Sequence, residues 1–575
     1  MYLRRCPKKK VGKQFVYWQL VESYRTERGP RQRVVAYLGS ASKGEREALE
    51  ASLQDRGWRY QYQLFEEDLP PQWEEIDTRN VRVERTRAFG GAWLALHIMD
   101  ILGLPEFLWQ SIPEGREDIR WSAMALVLVI CGLCCPSSEL QIASTLYERM
   151  ALEDLLGIPA DKVGDDRLYR SLDKILPHKT ALEKHLKEKM GTLFDLKYDL
   201  LLYDVTSTFI EGQGAANEQM QRGYSRDQRS DCKQVCIALV VSRDGMPLGY
   251  EVFDGNRADV STVKDVVKLM EDRYGQADRV WVMDRGMVSE DNVAFLKEGG
   301  RRYILGASRA NLKRFEKQLL TDDWKSVREG LEVKLCPTEA GEEVFILCRS
   351  ADRRTKEAAM HELFEKRIDE GLEKLAKSCA ANKQSASRVE RRVGALMSRN
   401  SRAARLYNVK VKVRDGGGCD INWEKVESHR QWSQLSEGCY LLRSNITDWE
   451  PDDLWRAYIQ LTEAEEAFRI QKSDLQLRPI RHQKKERVQA HILVCFLAFV
   501  IWKTLAQLCK RAGLGDEPRV VFNELSQIQM VDVVMKARDG RDIRRRCIAE
   551  PTPAQKVLLT KLKIRLPKQM PTAKV

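Results

Sequence analysis

The order of apolar segments between residues 200 and 305 constrains the fold of this chain more than any other feature. Three segments rich in β-branched and aliphatic residues come first, at 200–208, 235–241 and 249–253. Helical and strand-like segments then alternate, at 262–274, 279–284, 291–298 and 303–305. Consecutive strands followed by helix, strand, helix and strand are typical of a mixed sheet. We therefore predict the α/β fold class.

This alternation ends at residue 307, and long helical patterning resumes only at residue 452. We predict that 308–447 is an insertion, with a basic segment, into a split domain formed by 196–307 and 448–515. The remaining predicted regions are a basic β-rich N-terminal region (1–87), a helical region (88–195) and a C-terminal region (516–575). Within the first we expect a hairpin over 14–38 with its turn at 27–30. A chain of 575 residues is too long for one ordinary core, which agrees with several domains.

The net charge of +12 is modest for this length, but it is unevenly distributed. Residues 1–43 carry a local charge of +9, residues 374–414 carry +11 and residues 478–487 carry +4, so the rest of the chain is acidic. Any one of these runs is explained by a solvated surface. Three of them on an acidic background indicate a polyanionic partner, and we expect nucleic acid.

The cysteines and the apolar runs argue against a metal or disulfide framework and against a membrane protein. The 14 cysteines are scattered, and Cys131-x2-Cys134-Cys135 has a zinc-like spacing without a second ligand pair, so we expect reduced core cysteines. The longest apolar runs, 123–135 and 491–502, are shorter than the ~20 residues of a membrane span and predict buried helices. The N-terminus has no secretory signal pattern. We expect a cytoplasmic protein without membrane association.

Two aspartates lie on strand-like segments of the predicted sheet. Asp204 lies in the first segment, and Asp284 ends another and precedes Arg285-Gly286, which indicates a turn. Carboxylates on neighbouring strands can share a hard cation such as Mg²⁺, and two such ions can activate an attacking oxygen and stabilise a leaving one. Aspartates at strand ends are also common turn formers, so this pair alone is a weak signal.

A third carboxylate lies on a predicted helix over 455–477. At 100° per residue one stripe of that helix holds mainly apolar residues together with Glu465, whereas Glu466 lies about 100° further round and Glu463 on the opposite face. A buried glutamate is costly unless it is paired or metal-bound. Helix geometry therefore selects Glu465 over its neighbours, although a salt-bridged glutamate at the edge of the stripe explains it equally well.

The motif Tyr458-x2-Leu461-x3-Glu465-x6-Lys472 resembles the Tyr-Arg-Glu-Lys signature of the insertion-sequence-four-like transposases, bacterial members of the Asp-Asp-Glu class. Further segments that resemble this group lie at 203–212, 222–227, 247–253, 283–287, 468–475 and 477–482. The resemblance is to a subgroup with a long insertion and covers roughly residues 10–560.

The resemblance implies a ribonuclease-H-like catalytic domain interrupted by the insertion, preceded by an N-terminal β-hairpin and helical DNA-binding region. Asp204, Asp284 and Glu465 would then be the catalytic residues and hold two Mg²⁺ or Mn²⁺ ions per active site. The implied activity is metal-dependent cleavage of transposon ends and strand transfer into target DNA, carried out by a homodimer in a synaptic complex. A host nuclease of the same fold and a non-catalytic DNA-binding protein derived from a transposase remain the alternatives.

The resemblance also implies DNA contacts around this site. Tyr458 and Lys472 would contact phosphates or a displaced base at the transposon end. Leu461 occupies the arginine position of the signature, and Arg469, about 80° away on the predicted helix, is a candidate substitute. Further candidates for DNA contact are Tyr224, Arg226, Arg285 and Arg478. We expect the basic segment at 374–414 to contact the DNA backbone, and the helices of 88–195 to bind the transposon end.

Overall fold

The computed structural model describes residues 2–10, 13–26, 29–39 and 73–570, apart from 216, 277, 340, 382–383 and 415–416. The chain divides into two compact units. The first comprises residues 1–93, 143–163 and 522–575, and the second comprises residues 94–142 and 164–521.

The strands, in chain order, are β1 (Tyr2–Lys10), β2 (Lys13–Thr26), β3 (Gly29–Gly39), β4 (Ile76–Ala88), β5 (Leu200–Ile210), β6 (Lys233–Ser242), β7 (Pro247–Asp254), β8 (Val280–Met283), β9 (Arg302–Ala307), β10 (Lys325–Arg328), β11 (Leu331–Pro337), β12 (Val344–Ser350), β13 (Tyr407–Val413), β14 (Cys419–Lys425), β15 (Cys439–Ser444), β16 (Gln529–Ala537), β17 (Asp542–Ile548) and β18 (Gln569–Met570).

The α-helices are α1 (Gly90–Ile101), α2 (Leu104–Ser111), α3 (Trp121–Cys134), α4 (Glu139–Gln141), α5 (Tyr147–Arg149), α6 (Leu152–Leu156), α7 (Asp165–Ile175), α8 (Lys179–Phe194), α9 (Val263–Tyr274), α10 (Glu290–Glu298), α11 (Glu316–Leu319), α12 (Ala351–Ala381), α13 (Ala386–Arg399), α14 (Ser401–Ala404), α15 (Glu427–Ser436), α16 (Pro451–Ile459), α17 (Thr462–Arg469), α18 (Lys485–Arg511), α19 (Pro518–Ser526) and α20 (Pro553–Leu562). Two π-helical turns, Ile142–Leu146 and Ile470–Asp474, complete the longer helical stretches.

The first unit contains two antiparallel sheets, of order β1-β2-β3 and β18-β17-β16-β4. The expected hairpin is formed by β2 and β3, while residues 27–28 of its turn lie outside the described residues, as do residues 40–72 of the expected N-terminal region. On β4 the buried Arg87 pairs with Asp154 and, at 2.8 Å, with Asp532. Buried charges are costly unless paired, so this network fixes the unit's interior.

The second unit is built on a nine-stranded mixed sheet of order β10-β11-β12-β15-β9-β8-β5-β6-β7. Strands β5, β8 and β9 run parallel to one another, and the remaining neighbours pair antiparallel. Helices α9 and α10 return the chain between the parallel strands and cover one face with an apolar core that includes Val267, Leu296 and Tyr303. The predicted α/β class and mixed sheet are therefore confirmed.

The segment expected to be an insertion does not lie wholly outside this sheet. Strands β10, β11, β12 and β15 all fall within 308–447, yet they extend the sheet beyond β9. Only the part from α12 to β14 packs its own core, around Ile368, Leu372 and Val389. The structure thus narrows the independent insert to about residues 351–425, and the other domain boundaries remain predictions.

Helix α18 extends well beyond the apolar run expected at 491–502. It has 27 residues and a mean hydropathy of 2.1 over its most apolar 18 residues, so by length and composition it suffices to cross a membrane. Two sharply bent helix pairs meet the same criterion when each pair is taken together. However, 78% of the apolar window of α18 is buried within the protein, where the helix packs against α3 and α7. Core packing therefore accounts for its apolar composition.

The cysteines of Cys131-x2-Cys134-Cys135 are free thiols. Burial raises the pKa of Cys131 to about 12, which disfavours the thiolate that a metal would need. In the part of the chain that the structure describes, these cysteines do not join any cluster of three metal-ligating side chains.

Candidate active site

Asp204 and Asp284 occupy matching positions on two neighbouring parallel strands. Tyr203 of β5 is paired with Met283 of β8, and each aspartate is the next residue along its strand direction. Adjacent strands lie about 4.8 Å apart and side chains in register point to the same face, so the two carboxyls are neighbours. Asp204 is half-buried, and Asp284 is exposed at the point where β8 gives way to a 3₁₀ turn.

Gly306 continues this row onto the third parallel strand, because Leu305 of β9 is paired with Met283. A Cβ at Gly306 would lie 2.7 Å from the Tyr458 hydroxyl, 2.8 Å from the Arg285 backbone nitrogen and 3.3 Å from Oδ1 of Asp284. The absence of a side chain there lets the tyrosine and the aspartate approach each other.

Several charges act on Asp204. Burial raises its pKa to about 6, and the negative charges of Glu465 and Asp284 add to that rise. The Val205 N–H, which donates to Oδ1 of Asp204 at 2.8 Å, and the charge of Arg226 oppose it only in part. Three carboxyl groups therefore share one region, and a cation placed among them would relieve their repulsion.

The helix that carries Glu465 differs from the predicted one. The expected helix over 455–477 is divided into α16, α17 and the π turn Ile470–Asp474, with a turn at Gln460 and Leu461. A rotation of 100° per residue therefore cannot be applied without interruption from Tyr458 to Lys472, so these residues need not share one helix face. The buried face of α17 holds Ala464, Ala467 and Phe468 and packs against β5, whereas Glu465 is exposed.

The argument that Glu465 is costly to bury is therefore wrong, but two other observations distinguish it. Glu463 pairs with Lys503 at 3.1 Å, and Glu466 pairs with Arg469. Of the three glutamates, all within the described residues, Glu465 alone has no such ion pair, and its charge contributes to the raised pKa of Asp204. Helix periodicity thus pointed to Glu465 through a burial that the structure does not show, and the role of Glu465 stays a prediction.

Tyr458, at the end of α16, reaches the same place. Its hydroxyl donates to Oδ1 of Asp284 at 3.2 Å. Burial and the neighbouring aspartate raise the pKa of the Tyr458 phenol, so it stays protonated and remains a donor. The tyrosine consequently orients Asp284.

Lys472 is tied to an acidic residue. Asp227, whose side chain is only 3% exposed, accepts a hydrogen bond from the Lys472 ammonium at 3.0 Å and also pairs with Arg478. Burial lowers the pKa of Lys472, although Asp227 opposes that shift. Both cations are thus engaged by one buried carboxylate, and the expected contact of Lys472 with DNA stays a prediction that requires Lys472 to exchange Asp227 for a phosphate or base.

The other predicted residues fall into two groups. Arg226 pairs with Asp259, while its backbone N–H donates to Ser207 at 3.3 Å. Arg469 is an exposed residue engaged by Glu466. Tyr224, at 85% exposure, and Arg285, beside Asp284, are presented to solvent.

Sequence reasoning missed Gly306, for which only its place at the end of a strand was a signal. It also missed a cluster of Glu139, His482 and His491. In the described part of the chain this is the only set of three or more histidine, cysteine or acidic residues whose ligand atoms all lie within 4.8 Å of one another. The carboxylate oxygens of Asp204, Asp284 and Glu465 do not all lie within 4.8 Å of one another.

Comparison with known proteins gives two family matches. A model described as a transposase DDE domain matches residues 196–501, and the N-terminal domain of the IS1634 family of transposases matches residues 3–60. The second differs from the insertion-sequence-four-like group expected from the sequence, which is a related but distinct family. The search of curated proteins finds no match.

Among solved structures, a cryo-EM structure of the piggyBac transposase synaptic complex with hairpin DNA is similar at 7% identity. The alignment covers 79% of this chain and 82% of that chain, with a TM-score of 0.36. This similarity does not establish a common fold.

Proposed function

The chain belongs to the transposase DDE-domain family, and on that premise we propose that Asp204, Asp284 and Glu465 are the carboxylates with which it cuts and joins DNA. The protein is a transposase, its N-terminal residues are of the IS1634 family, and its reaction is phosphoryl transfer on DNA. The observation that carries the residue assignment is the matched placement of the two aspartates on parallel strands, with the helix of Glu465 packed against β5.

A ribonuclease-H-like fold for the second unit is part of this proposal. It is supported by the antiparallel run β5-β6-β7 followed by the parallel strands β8 and β9, each reached through a helix. The third carboxylate then comes from a helix that follows the insert and packs against the first strand.

The donor set fits divalent cations that prefer oxygen ligands. The site has three carboxyl groups, and burial and the acidic neighbours raise the pKa of one of them, Asp204, to about 6. A bound cation would therefore stabilise the ionised carboxylates. We propose two Mg²⁺ or Mn²⁺ ions, held by Asp204, Asp284 and Glu465. When bound, such ions supply activation of the attacking oxygen and stabilisation of the leaving one.

The chain's own groups then position these carboxylates and the DNA. The Tyr458 hydroxyl fixes Asp284, and the Val205 N–H fixes Asp204. Asp227 holds Lys472 and Arg478 in place, so a phosphate that approached them would compete with Asp227 for their protons. Tyr224 and Arg285 are exposed and available to a base and to a phosphate.

The DNA-contact role of Arg469 has a direct test. The Arg469 guanidinium already pairs with Glu466, so a phosphate can bind Arg469 only if this ion pair breaks. Replacing Arg469 with alanine should reduce cleavage of a transposon-end fragment if the contact forms. Unchanged cleavage would show that Arg469 does not contact the DNA. The arginine of the family signature, whose position is occupied by the buried Leu461, would then have no replacement.

The metal-site assignment is tested by cleavage of a DNA fragment that carries the element's end, with Mg²⁺ or Mn²⁺ added to a chelator-treated protein. Asp204→Asn, Asp284→Asn and Glu465→Gln should each abolish cleavage while the protein still binds the fragment. Asp254→Asn is the matched control, because that aspartate ends β7 at the edge of the same sheet. Cleavage that survives Asp204→Asn would refute the assignment.

The same assay separates the other candidate functions. A nuclease would cut the fragment without joining its 3′ end to a target, and a protein that only binds DNA would retain it uncut. We also propose a homodimer, because two transposon ends must be brought together, and a cytoplasmic location. Crosslinking in the presence and absence of end DNA tests the dimer.

A further inference from the structure

Three side chains from distant parts of the second unit meet outside the carboxylate site. Glu139 begins α4, His482 follows the segment that carries Arg478, and His491 lies on α18. Nε2 of His482 lies 3.1 Å from Oε1 of Glu139, and both side chains are 9% exposed. One ligand atom from each of the three residues lies within 4.8 Å of the other two.

The donor types in this cluster differ from those of the acidic site. Two imidazoles and one carboxylate suit Zn²⁺, which takes nitrogen and oxygen ligands in a tetrahedral arrangement, and they do not suit Mg²⁺. Catalytic and open zinc sites commonly have three protein ligands and a water. The two imidazole rings lie with their centroids 5.4 Å apart, and Tyr169 contacts His482 edge-on at 5.8 Å.

The surroundings of His491 prepare it as a ligand. Its Nε2 lies 3.4 Å from the Leu477 carbonyl oxygen, so an N–H at that position donates to the carbonyl and leaves the lone pair on Nδ1. Metal-binding histidines usually donate their second ring nitrogen in this way. Burial lowers the pKa of His491 to about 4, with a further contribution from His482, so the ring is neutral at pH 7.

The cluster also borders open space. A cavity of about 520 Å³ is lined by all three residues together with Tyr169 and Cys495, among others. This volume accommodates a water as the fourth ligand. The side chains therefore form a partly enclosed site with an accessible side.

We propose that Glu139, His482 and His491 form a Zn²⁺ site, separate from the acidic site, that fastens the segment before α18 to α4. Arg478 lies four residues before His482 and pairs with Asp227, so the ion would hold the segment from which Arg478 reaches the loop of Tyr224 and Arg226. The geometry of the three side chains carries this inference, whatever the roles of Asp204, Asp284 and Glu465.

The test uses the full-length chain, stripped of metal with a chelator and then titrated with ZnCl₂ or CoCl₂ alone. We expect one tightly held Zn²⁺ per chain after desalting, the visible absorption bands of four-coordinate Co²⁺, and a higher Tm with zinc. His482→Gln, His491→Gln and Glu139→Gln should each weaken zinc binding at least about 100-fold, because loss of a ligand exceeds the effect of losing an outer hydrogen-bond partner.

Two controls locate the ion. His185→Gln replaces another half-buried histidine, whose Nε2 lies 2.9 Å from the Leu102 carbonyl oxygen, and should retain zinc. Asp204→Asn should also retain it.

The proposal is overturned by any of four results. The first is that the wild type binds zinc no more tightly than the His482→Gln/His491→Gln double variant, and the second is that Asp204→Asn loses zinc. The other two are spectra of the Co²⁺-loaded wild type: the weak bands of octahedral Co²⁺, or a thiolate charge-transfer band that shows cysteine ligation. The Co²⁺ spectrum of the wild type decides the question even if the histidine variants do not fold.

Discussion

Replacing Asp204 with asparagine should stabilise this transposase while it abolishes cleavage. The pKa of Asp204 rises from the ordinary 3.8 to about 6 in the folded protein, chiefly through burial. At about 1.4 kcal/mol per unit, the ionised carboxyl costs the fold about 3 kcal/mol at neutral pH as an upper bound. Asparagine has nearly the same shape, keeps an oxygen for the Val205 N–H, and carries no charge.

The pH dependence follows from the direction of the shift. A group whose folded pKa is raised contributes stability below its unfolded pKa and loses that contribution as pH rises through the folded value. Below about pH 4 wild type and variant should therefore be equally stable. Between pH 4 and 6 the variant gains its advantage, which is complete above pH 6. In a folding unit of about 400 residues, about 3 kcal/mol corresponds to a Tm increase of roughly 3–4 °C.

The assay is thermal unfolding of both proteins from pH 4 to pH 8 in EDTA, with Asp254→Asn as the control that should not change Tm. Adding Mg²⁺ should raise the Tm of the wild type and have less effect on the variant, because the cation neutralises the charge that the substitution removes. An Asp204→Asn protein that is less stable than wild type at pH 8, or a difference that does not vary with pH, would refute this account of the site's electrostatics.

Three further changes test the surrounding structure. Gly306→Ala forces a Cβ against Tyr458 and the Arg285 backbone, so it should cost about 1–3 kcal/mol in urea unfolding and reduce cleavage about 100-fold, whereas Gly394→Ala, at an open helical position, should do neither. Asp227→Asn leaves Lys472 and Arg478 without their acidic partner and should destabilise the protein by about 3–5 kcal/mol. Adding Lys472→Met should recover part of this loss, and full stability of the single variant would contradict the ion-pair assignment. Replacing 351–437, which holds the insert together with α15, by a short turn should leave a folded protein, because the Ser350 N–H already donates to the Gly438 carbonyl at 3.0 Å. Its stability should be lower, because Trp432 and Leu435 of α15 no longer cover the core beside β12 and β15. The deletion should also lower the salt dependence of DNA binding in filter assays, and an unchanged slope would show that the insert makes no phosphate contacts.

The sequence predicted the central sheet well because its strands are buried, short and apolar. The segments expected at 235–241 and 279–284 differ from β6 and β8 by only a few residues at their ends. The mixed character of the sheet followed from the alternation of helices and strands, whereas the strand order and the parallel pairs became known only from the structure. Strands β10 to β12 were not recognised as part of the same sheet, since their pairing depends on contacts with β15, about 90 residues later.

The active site was predictable only in part, for a physical reason that α17 makes clear. Periodicity assumes one continuous helix, and the turn at Leu461 and the π turn at 470–474 each shift the phase of the residues that follow. The charge of Glu465 nevertheless raises the pKa of Asp204, and α17, which carries Glu465, packs against β5, which carries Asp204. The engagement of Lys472 by Asp227 joins residues 245 positions apart, and local sequence carries no signal for it.

The topology of the sheet gives the basic insert its location relative to the carboxylates. Strand β15 runs antiparallel to β9, with Leu441 opposite Ala307, so β15 begins at the end of the sheet where β9 finishes. Strand β12 is antiparallel to β15, with Arg349 opposite Cys439, so it finishes at that same end. Asp204 and Asp284 follow the last paired residues of β5 and β8, which are parallel to β9. The chain therefore leaves the sheet for the insert, and returns from it, at the end towards which β5 and β8 carry Asp204 and Asp284. A long basic segment can be added there without disturbing the sheet, because the residues that flank it, Ser350 and Gly438, are hydrogen-bonded to each other. If Asp204 and Asp284 bind the DNA to be cut, the positive charge of the insert is attached at the same end of the sheet as that DNA.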